Sequence, residues 1–482
     1  MKLKMYDVAV IGAGVVGALT ARELSRYSLS VCLIEKGNDV AGGATRANSG
    51  IVHAGFDAET GTLKARLNVK GARLMPALAA ELGVHYRQNG SLVVGYNAAD
   101  RTEIQTLYER GLANGVENLA ILDIELLQKI EPALSKKAIC ALYAPTAGVI
   151  CPFGLAIAAT GNAMDNGADC LLNYEVTELL READGFRISG SGAPISARFV
   201  VNAAGVFSDK IARLIGDDSF RLRPRRGEYM LLDKVCGNLL NHTVFFTPDE
   251  KGKGVLVSPT ADGNLLLGPT SSFVTGKSDT ATTAEGLEQI LAEAYRQVPE
   301  LPAGKVITSF AGLRAVGDTG DFIINSPVPG FVNAAGIESP GLTASPAIAR
   351  YIVNLLAENG LALREKPDFN PIRPALGGFR EKTAEEQNAV IRVNPRYGNV
   401  ICRCEQVSEG EILEALTRNP IAHDTDGIKR RVRAGMGRCQ GEFCLPSVAA
   451  VLAEELGIPF EAVTKSGAGS KVNLRRTKGN AD

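Results

Sequence analysis

The hydrophobic pattern alternates between short unbroken apolar runs and stretches of helical period. Val8, Ala9, Val10 and Ile11 form a run suited to a parallel strand buried on both faces. Gly12, Gly14 and Gly17 follow at G-x-G-x-x-G spacing, then a helical stretch through Leu19 and Leu24, then a second apolar run at residues 31–34 that ends in Glu35. Residues 6–36 therefore read as one βαβ unit. Gly12 permits the tight turn, Gly14 lets backbone N–H groups approach a pyrophosphate, and Gly17 lets the helix lie close to the strand. Glu35 falls about 20 residues beyond the glycines, where a ribose hydroxyl needs an acceptor. The unit predicts a dinucleotide site, and leaves FAD and NAD both open.

Downstream, residues 42–65 are rich in Gly, Ser, Asn and Thr and read as a long working loop. A helix carries Leu63, Leu67, Leu74, Leu78 and Leu82 on one face and stops at Gly83. Strand patterns at 91–96, 171–180 and 199–204 and helices at 101–114 and 151–169 follow, with a small-residue turn, Asn202-Ala-Ala-Gly205, where backbone can pass close to a ligand. From 221 to about 308 the signals turn antiparallel, with Asp262-Gly263 as a hairpin turn and a helix at 285–296. The parallel style is expected back at 307–316, 331–336 and a helix at 345–356. These patterns predict an α/β chain whose nucleotide domain is discontinuous (about 1–85, 145–220 and 308–365). A mainly antiparallel α+β substrate domain (about 86–144 and 221–307) is inserted into it. A connector (366–397), a small helical module (398–465) and a flexible tail (466–482) complete the division.

At 482 residues the chain holds an ample core, and its net charge of −1 gives no case for nucleic acid. No apolar stretch reaches the roughly 18 residues of a membrane span, and no signal peptide is read at the start. Nine cysteines in a large nucleotide-fold chain point to reduced thiols in the cytoplasm. Cys32, Cys140, Cys151, Cys170 and Cys236 read as small buried hydrophobes.

The other four differ. Cys402 and Cys404 are two apart, Cys439 and Cys444 five apart. Between the pairs, Ser408 with Glu411 forms a capping box, Asp426 is placed to cap a basic helix, and Pro446 and Gly457 bracket a third helix. Four thiolates so gathered hold a zinc or a [2Fe–2S] cluster. C-x-C is tight for two ligands on one tetrahedral ion, whereas a two-iron cluster gives each iron its own pair. Arg403, Lys429, Arg430, Arg431, Arg433 and Arg438 are expected to offset the cluster's negative charge. This stretch resembles the bacterioferritin-associated-ferredoxin-like (BFD-like) [2Fe–2S] domain. A cluster passes single electrons and nicotinamide only hydride, while a flavin links the two, so FAD is the better expectation for the N-terminal site.

The first 365 or so residues resemble the FAD-dependent D-amino-acid-oxidase superfamily, nearest its glycerol-3-phosphate dehydrogenase/oxidase and L-2-hydroxyglutarate oxidase members. The matching stretches are the glycine motif, TRANSGIVHAGFD (45–57), TLKA (62–65), PRRGEY (224–229), GLRAVGDTGDFII (312–324) and GIESPGLTASPAIA (336–349). With the cysteine module, the whole resembles the catalytic subunit of anaerobic glycerol-3-phosphate dehydrogenases.

That resemblance implies cofactor contacts at Lys36, Thr45, Ser49, Gly50, Ile51, Val176, Ala203, Gly205, Gly312, Gly336, Ser339, Gly341, Leu342 and Thr343, the last three opening a helix whose N–H groups stabilise charge on the reduced ring. It matches His53 to the active-site histidine, able to take a hydroxyl proton, and Arg314 to the holder of the substrate's anionic end. Lys253 is a second anion ligand or a solvated turn lysine. Arg225, Arg226, Glu228 and Tyr229 line the substrate side or face solvent. His85, His242 and His423 read as histidines satisfied by their surroundings. The expected activity is oxidation of a small anionic secondary alcohol, sn-glycerol 3-phosphate first, with electrons leaving through the cluster to a flavoprotein partner or quinone-linked acceptor. L-2-Hydroxyglutarate oxidation, and an electron carrier with a vestigial substrate site, are the alternatives. Any membrane contact is expected to be peripheral, at the inner membrane and through a partner.

Overall fold

The computed structural model describes residues 4–248 and 254–475. Its first sheet has eight strands. Lys4–Ile11 lies parallel to Val31–Ile34 on one side and to Ile195–Asn202 on the other; Asp169–Leu171 and Phe331–Ala335 extend the parallel set at its two ends. The unbroken apolar runs are explained by cover on both faces. The helices Val15–Leu24, Pro152–Asp165 and Gly341–Glu358 pack on one side and the helix Ser208–Arg213 on the other, where the sheet's antiparallel edge strands Val176–Glu182 and Gly185–Gly190 share the same buried cluster. The single strand expected at 171–180 is split in two, because the chain leaves the parallel sheet after Leu171 and returns at Val176 antiparallel to its next neighbour.

The second sheet has nine strands, nearly all antiparallel. Its Leu256–Pro259 and Leu265–Gly268 pair antiparallel around Asp262-Gly263. One expectation is corrected here. Val306–Val316 is not a return to the parallel sheet; it runs antiparallel to Arg223–Leu232 along almost its whole length. It buries Ala311, Gly312 and Leu313 in a row and alternates only from Leu313 to Val316, and the parallel style resumes at Phe331–Ala335. The helix Ala284–Gln297 buries Ile290 and Ala294 against this sheet.

The C-terminal module has its own core, in which Ile412, Ile428, Ala449 and Leu452 from its three helices are fully buried. Its caps differ by one turn residue from the expectation: Asp424, not Asp426, accepts the Gly427 N–H at the start of Thr425–Val432. The connector is no free linker. Arg373 is 4% exposed, ion-paired with Asp165 and bonded to the Asn419 carbonyl, so it ties the nucleotide domain to the module. Residues 466–475, expected as flexible tail, fold back through a Thr464–Lys471 bridge. Among the described residues no helix is long and apolar enough to cross a membrane.

Candidate active site and cysteine centre

At the strand-to-helix turn, Gly12 has φ +105°, and a Cβ there would lie 2.4 Å from the Ala203 carbonyl oxygen; a Cβ at Gly17 would lie 1.9 Å from that of Gly12. The two strands and the helix can meet only through glycine. Gly14 then caps the helix Val15–Leu24 with no side chain on its first N–H groups except Thr45 Oγ1, which accepts from Val15 N at 3.0 Å. Free helix-start donors facing a cleft suit a pyrophosphate. Glu35 is aimed by two backbone donors, Ala13 N at 2.9 Å and Gly37 N at 2.8 Å, and Lys36 lies 3.5 Å over the Phe207 ring.

The turn opens a cleft of about 1510 Å³ between the two sheets. Gly12, Gly14, Glu35, Lys36, Thr45, Ser49, Ile51, Val176, Ala203, Gly205, Gly312, Ser339, Gly341 and Leu342 line it, and so do His53 and Arg314. Gly17, Gly50, Gly336 and Thr343 lie behind its wall. Thr343, fully buried, accepts from His53 N at 2.9 Å and donates to the Ile51 carbonyl at 3.3 Å, so it braces the loop instead of facing the cleft. Lys253 lies outside the described residues.

His53 Nε2 is 3.4 Å from Ser339 Oγ, and the ring is 5.9 Å from that of Phe245. Arg314 donates to the Thr270 carbonyl at 2.9 Å and has no carboxylate partner among the described residues. Gly227 makes room for it: a Cβ there would sit 2.5 Å from Arg314 Nη2. Arg225 and Tyr229 line the cleft. Arg226 and Glu228 do not; they join Asp279 and Thr283 in a buttress behind it. Two residues given no role from the sequence are Lys64 and Glu338, both on the cleft wall and 3.2 Å apart. The quoted stretches TLKA and GIESPG contain them, but only the fold brings the two stretches together. His242 pairs with buried Glu131, as expected of a satisfied histidine.

The four cysteines converge as two pairs. Cys404 and Cys439 sulfurs are 3.7 Å apart near the surface, and Cys402 and Cys444 are both buried. The Cys444 thiol pulls Cys402 down to about 6, against the opposing effect of burial, and Cys444 is pushed up in return. No three metal-ligating side chains among the described residues converge on one ion-sized point. Two adjacent pairs suit a two-metal cluster and not a lone zinc.

The basic residues nearby are committed differently from the expectation. Arg431 and Arg430 clasp Asp39 of the nucleotide domain, the former bidentately at 2.8 Å. Arg433 bridges Asp262 at 2.7 Å and Glu405 at 2.9 Å, and Glu405 also takes Lys234 and Arg380. The charge of Arg430, Arg431 and Arg433 docks the module, while Lys429, bonded to Gln440, stays within electrostatic reach of Cys444. Burial alone would raise Asp39, but the Arg431 and Arg430 guanidiniums outweigh it and hold the carboxyl at about 2. Asp262, read from the sequence only as a turn residue, is a buried anchor of this joint.

Residues 7–355 match the family described as FAD dependent oxidoreductase, and residues 400–454 the BFD-like [2Fe-2S] binding domain. A glycerol 3-phosphate dehydrogenase from Caloramator mitchellensis is 45% identical over 476 residues, 98% of this chain and 99% of its own length. The solved structure of dithionite-reduced L-alpha-glycerophosphate oxidase from Mycoplasma pneumoniae, with FAD bound, matches with a TM-score of 0.73 at 34% identity, covering 77% of this chain and 99% of that one. A mitochondrial L-2-hydroxyglutarate dehydrogenase from Homo sapiens is 32% identical over 281 residues, 55% of this chain and 60% of its own length. FAD and a [2Fe–2S] cluster are the cofactors these matches show, and the glycine-lined cleft and the four cysteines are geometries suited to them.

Proposed function

The chain belongs to the FAD-dependent oxidoreductase family, and on that premise we propose that it is a cytoplasmic dehydrogenase that oxidises sn-glycerol 3-phosphate to dihydroxyacetone phosphate. Electrons leave through the [2Fe–2S] module to a separate flavoprotein or quinone-linked acceptor. The observation that carries this reading is the pairing, on one cleft, of an imidazole with a guanidinium that no carboxylate neutralises among the described residues. FAD, when bound, supplies the hydride acceptor.

The chain's own residues supply the rest. Arg314 holds the anionic end of the substrate through charge-assisted hydrogen bonds, its side chain steered by the space above Gly227. His53 takes the hydroxyl proton on the Ser339 side as the adjacent C–H bond breaks. Thr343 fixes the His53 backbone, so that the base and the wall of the cleft move as one. Relatives named for glycerol 3-phosphate span 98%, 76% and 77% of the chain, and those named for L-2-hydroxyglutarate 54% to 73%.

Anaerobic mixing of the flavin-loaded protein with each alcohol tests the reading. Glycerol 3-phosphate is expected to bleach the visible flavin band; bleaching by L-2-hydroxyglutarate alone would reassign the substrate, and bleaching by neither would leave an electron carrier. His53→Asn is expected to slow that bleaching by about 100- to 10,000-fold with flavin retained, the usual contribution of a general base.

A further inference from the structure

A phosphate monoester puts two negative charges on one group, and a carboxylate puts one. Arg225 and Arg314 stand directly opposite each other on the antiparallel strands Arg223–Leu232 and Val306–Val316. Directly opposed residues leave a sheet on the same face, where like charges repel, and both of these line the cleft. The one carboxylate shared among the cations here is Glu338, which accepts from Arg225 Nη2 at 2.6 Å and from Lys64 Nζ at 3.2 Å. Of the acids on the neighbouring strands and turns, Asp321 accepts the Leu63 and Lys64 backbone N–H groups, and Asp279 and Glu228 hold Arg226. Arg225 Nε is buried without a hydrogen-bond partner among the described residues. Among the described residues Arg225, Arg314 and Lys64 share only Glu338 as a bonded carboxylate, and that positive surplus fits a dianion.

We propose that Arg225 is a second anion-binding residue of this cleft, and that with Arg314 it selects a substrate end bearing two negative charges, a phosphate monoester, over a single carboxylate. Glu338 is the positioning residue. It holds Arg225 and Lys64 together and sits next to Ser339, so the anion site is tied in sequence to the turn beside His53. This rests on the substrate reading above, which it deepens by naming what separates phosphate from carboxylate.

The test uses the flavin-loaded full chain carrying Arg225→Met, with inorganic phosphate and formate as probes in titration calorimetry. Phosphate binding is expected to weaken by about tenfold to hundredfold, the effect of losing a charge-assisted hydrogen bond, and formate binding by about twofold or less. The same variant should raise KM for glycerol 3-phosphate more than it lowers kcat. Unchanged phosphate binding, or equal weakening of phosphate and formate, overturns the proposal. If Arg225→Met loses its flavin, Arg225→Lys is read in its place: it keeps the charge and loses the planar fork, so phosphate should weaken about threefold and formate not at all. No selective loss in that variant overturns the proposal equally. If unaltered enzyme is not bleached by glycerol 3-phosphate yet the phosphate–formate contrast appears, the substrate reading falls and the anion site stands.

Discussion

The glycine-lined cleft is walled by backbone and small residues, whereas the C-terminal module brings four cysteine side chains together. The first depends on how closely main chains approach: Gly12 against Ala203, Gly17 against Gly12, Gly312 against Ala47. The second depends on which atoms are presented, two pairs of thiols on a loop and a helix start. A backbone-built site fails when volume is added, even one methyl group. A ligand-built site fails when a donor is exchanged, even at constant volume. Each predicts its own characteristic mutant.

Gly12→Ala should have the largest effect. The added Cβ meets the Ala203 carbonyl at 2.4 Å, and the residue must hold φ +105°, a conformation costing a non-glycine residue about 1–3 kcal/mol before the clash is counted. The FAD-to-protein ratio of the purified chain is expected to fall about tenfold or more, with iron content unchanged because the module folds around its own core. Loss of both cofactors together would mean that the two centres are not built independently. Cys402→Ser is the complementary case. Cys402 is 1% exposed in the core of the module, so iron and the cluster's visible absorbance should be lost while flavin is kept. Substrate should still bleach that flavin, and turnover with a protein acceptor should stop. Full turnover without iron would remove the module from the electron path.

The same contrast explains what was legible in the sequence. Cysteine spacing and the glycine motif are local, so a dinucleotide site and a four-thiol centre both follow from short stretches, whereas the choice of FAD over NAD rests on the two centres taken together and on the wider resemblance. The cap at Asp424, by contrast, was displaced to Asp426 because both acids satisfy the pattern and only the backbone at residue 424 is extended. Val306–Val316 was assigned to the wrong sheet because a half-buried strand beside a long partner carries the same apolar pattern as a parallel one. The arginines of the module were read as countercharge because their partners, Asp39 and Asp262, lie hundreds of residues away. Pairings across domains leave no periodicity.

Between the two centres lies the joint, and it is ligand-like in character: side chains, charged and buried. Arg431→Met leaves Asp39 buried with only Arg430, and breaking one side of a buried pair costs about 3–5 kcal/mol. The module is expected to undock before the rest unfolds, seen as faster proteolysis in residues 366–397 and slower flavin-to-cluster electron transfer. The Asp39 carboxyl is depressed from 3.8 to about 2, so its contribution is complete above the ordinary carboxylate value and is lost as pH falls through about 2. Docking that weakens already near neutral pH in the unaltered protein must have another source.

That other source, and the smallest effect, is His85. Its Nδ1 lies 2.8 Å from Asp262 and its Nε2 3.6 Å from Glu381, beside the Arg433 that anchors the module. The hydrogen bond to Asp262 raises His85 above its ordinary value of 6.5, with burial opposing. A raised histidine stabilises in its charged form, so the contribution is full below about 6.5 and disappears as pH rises through the higher folded value. The side chain is 40% exposed and Arg433 keeps Asp262 paired at any pH, which holds the effect to about 1 kcal/mol or less after solvent screening. Thermal unfolding of the module in the unaltered protein should therefore drop slightly between about pH 6 and pH 8, and His85→Gln should flatten that slope without moving the flavin content. An unchanged slope in the variant would place the titrating group elsewhere in the joint, and a large change would mean that the module is held by this one contact more than by the Asp39 clasp.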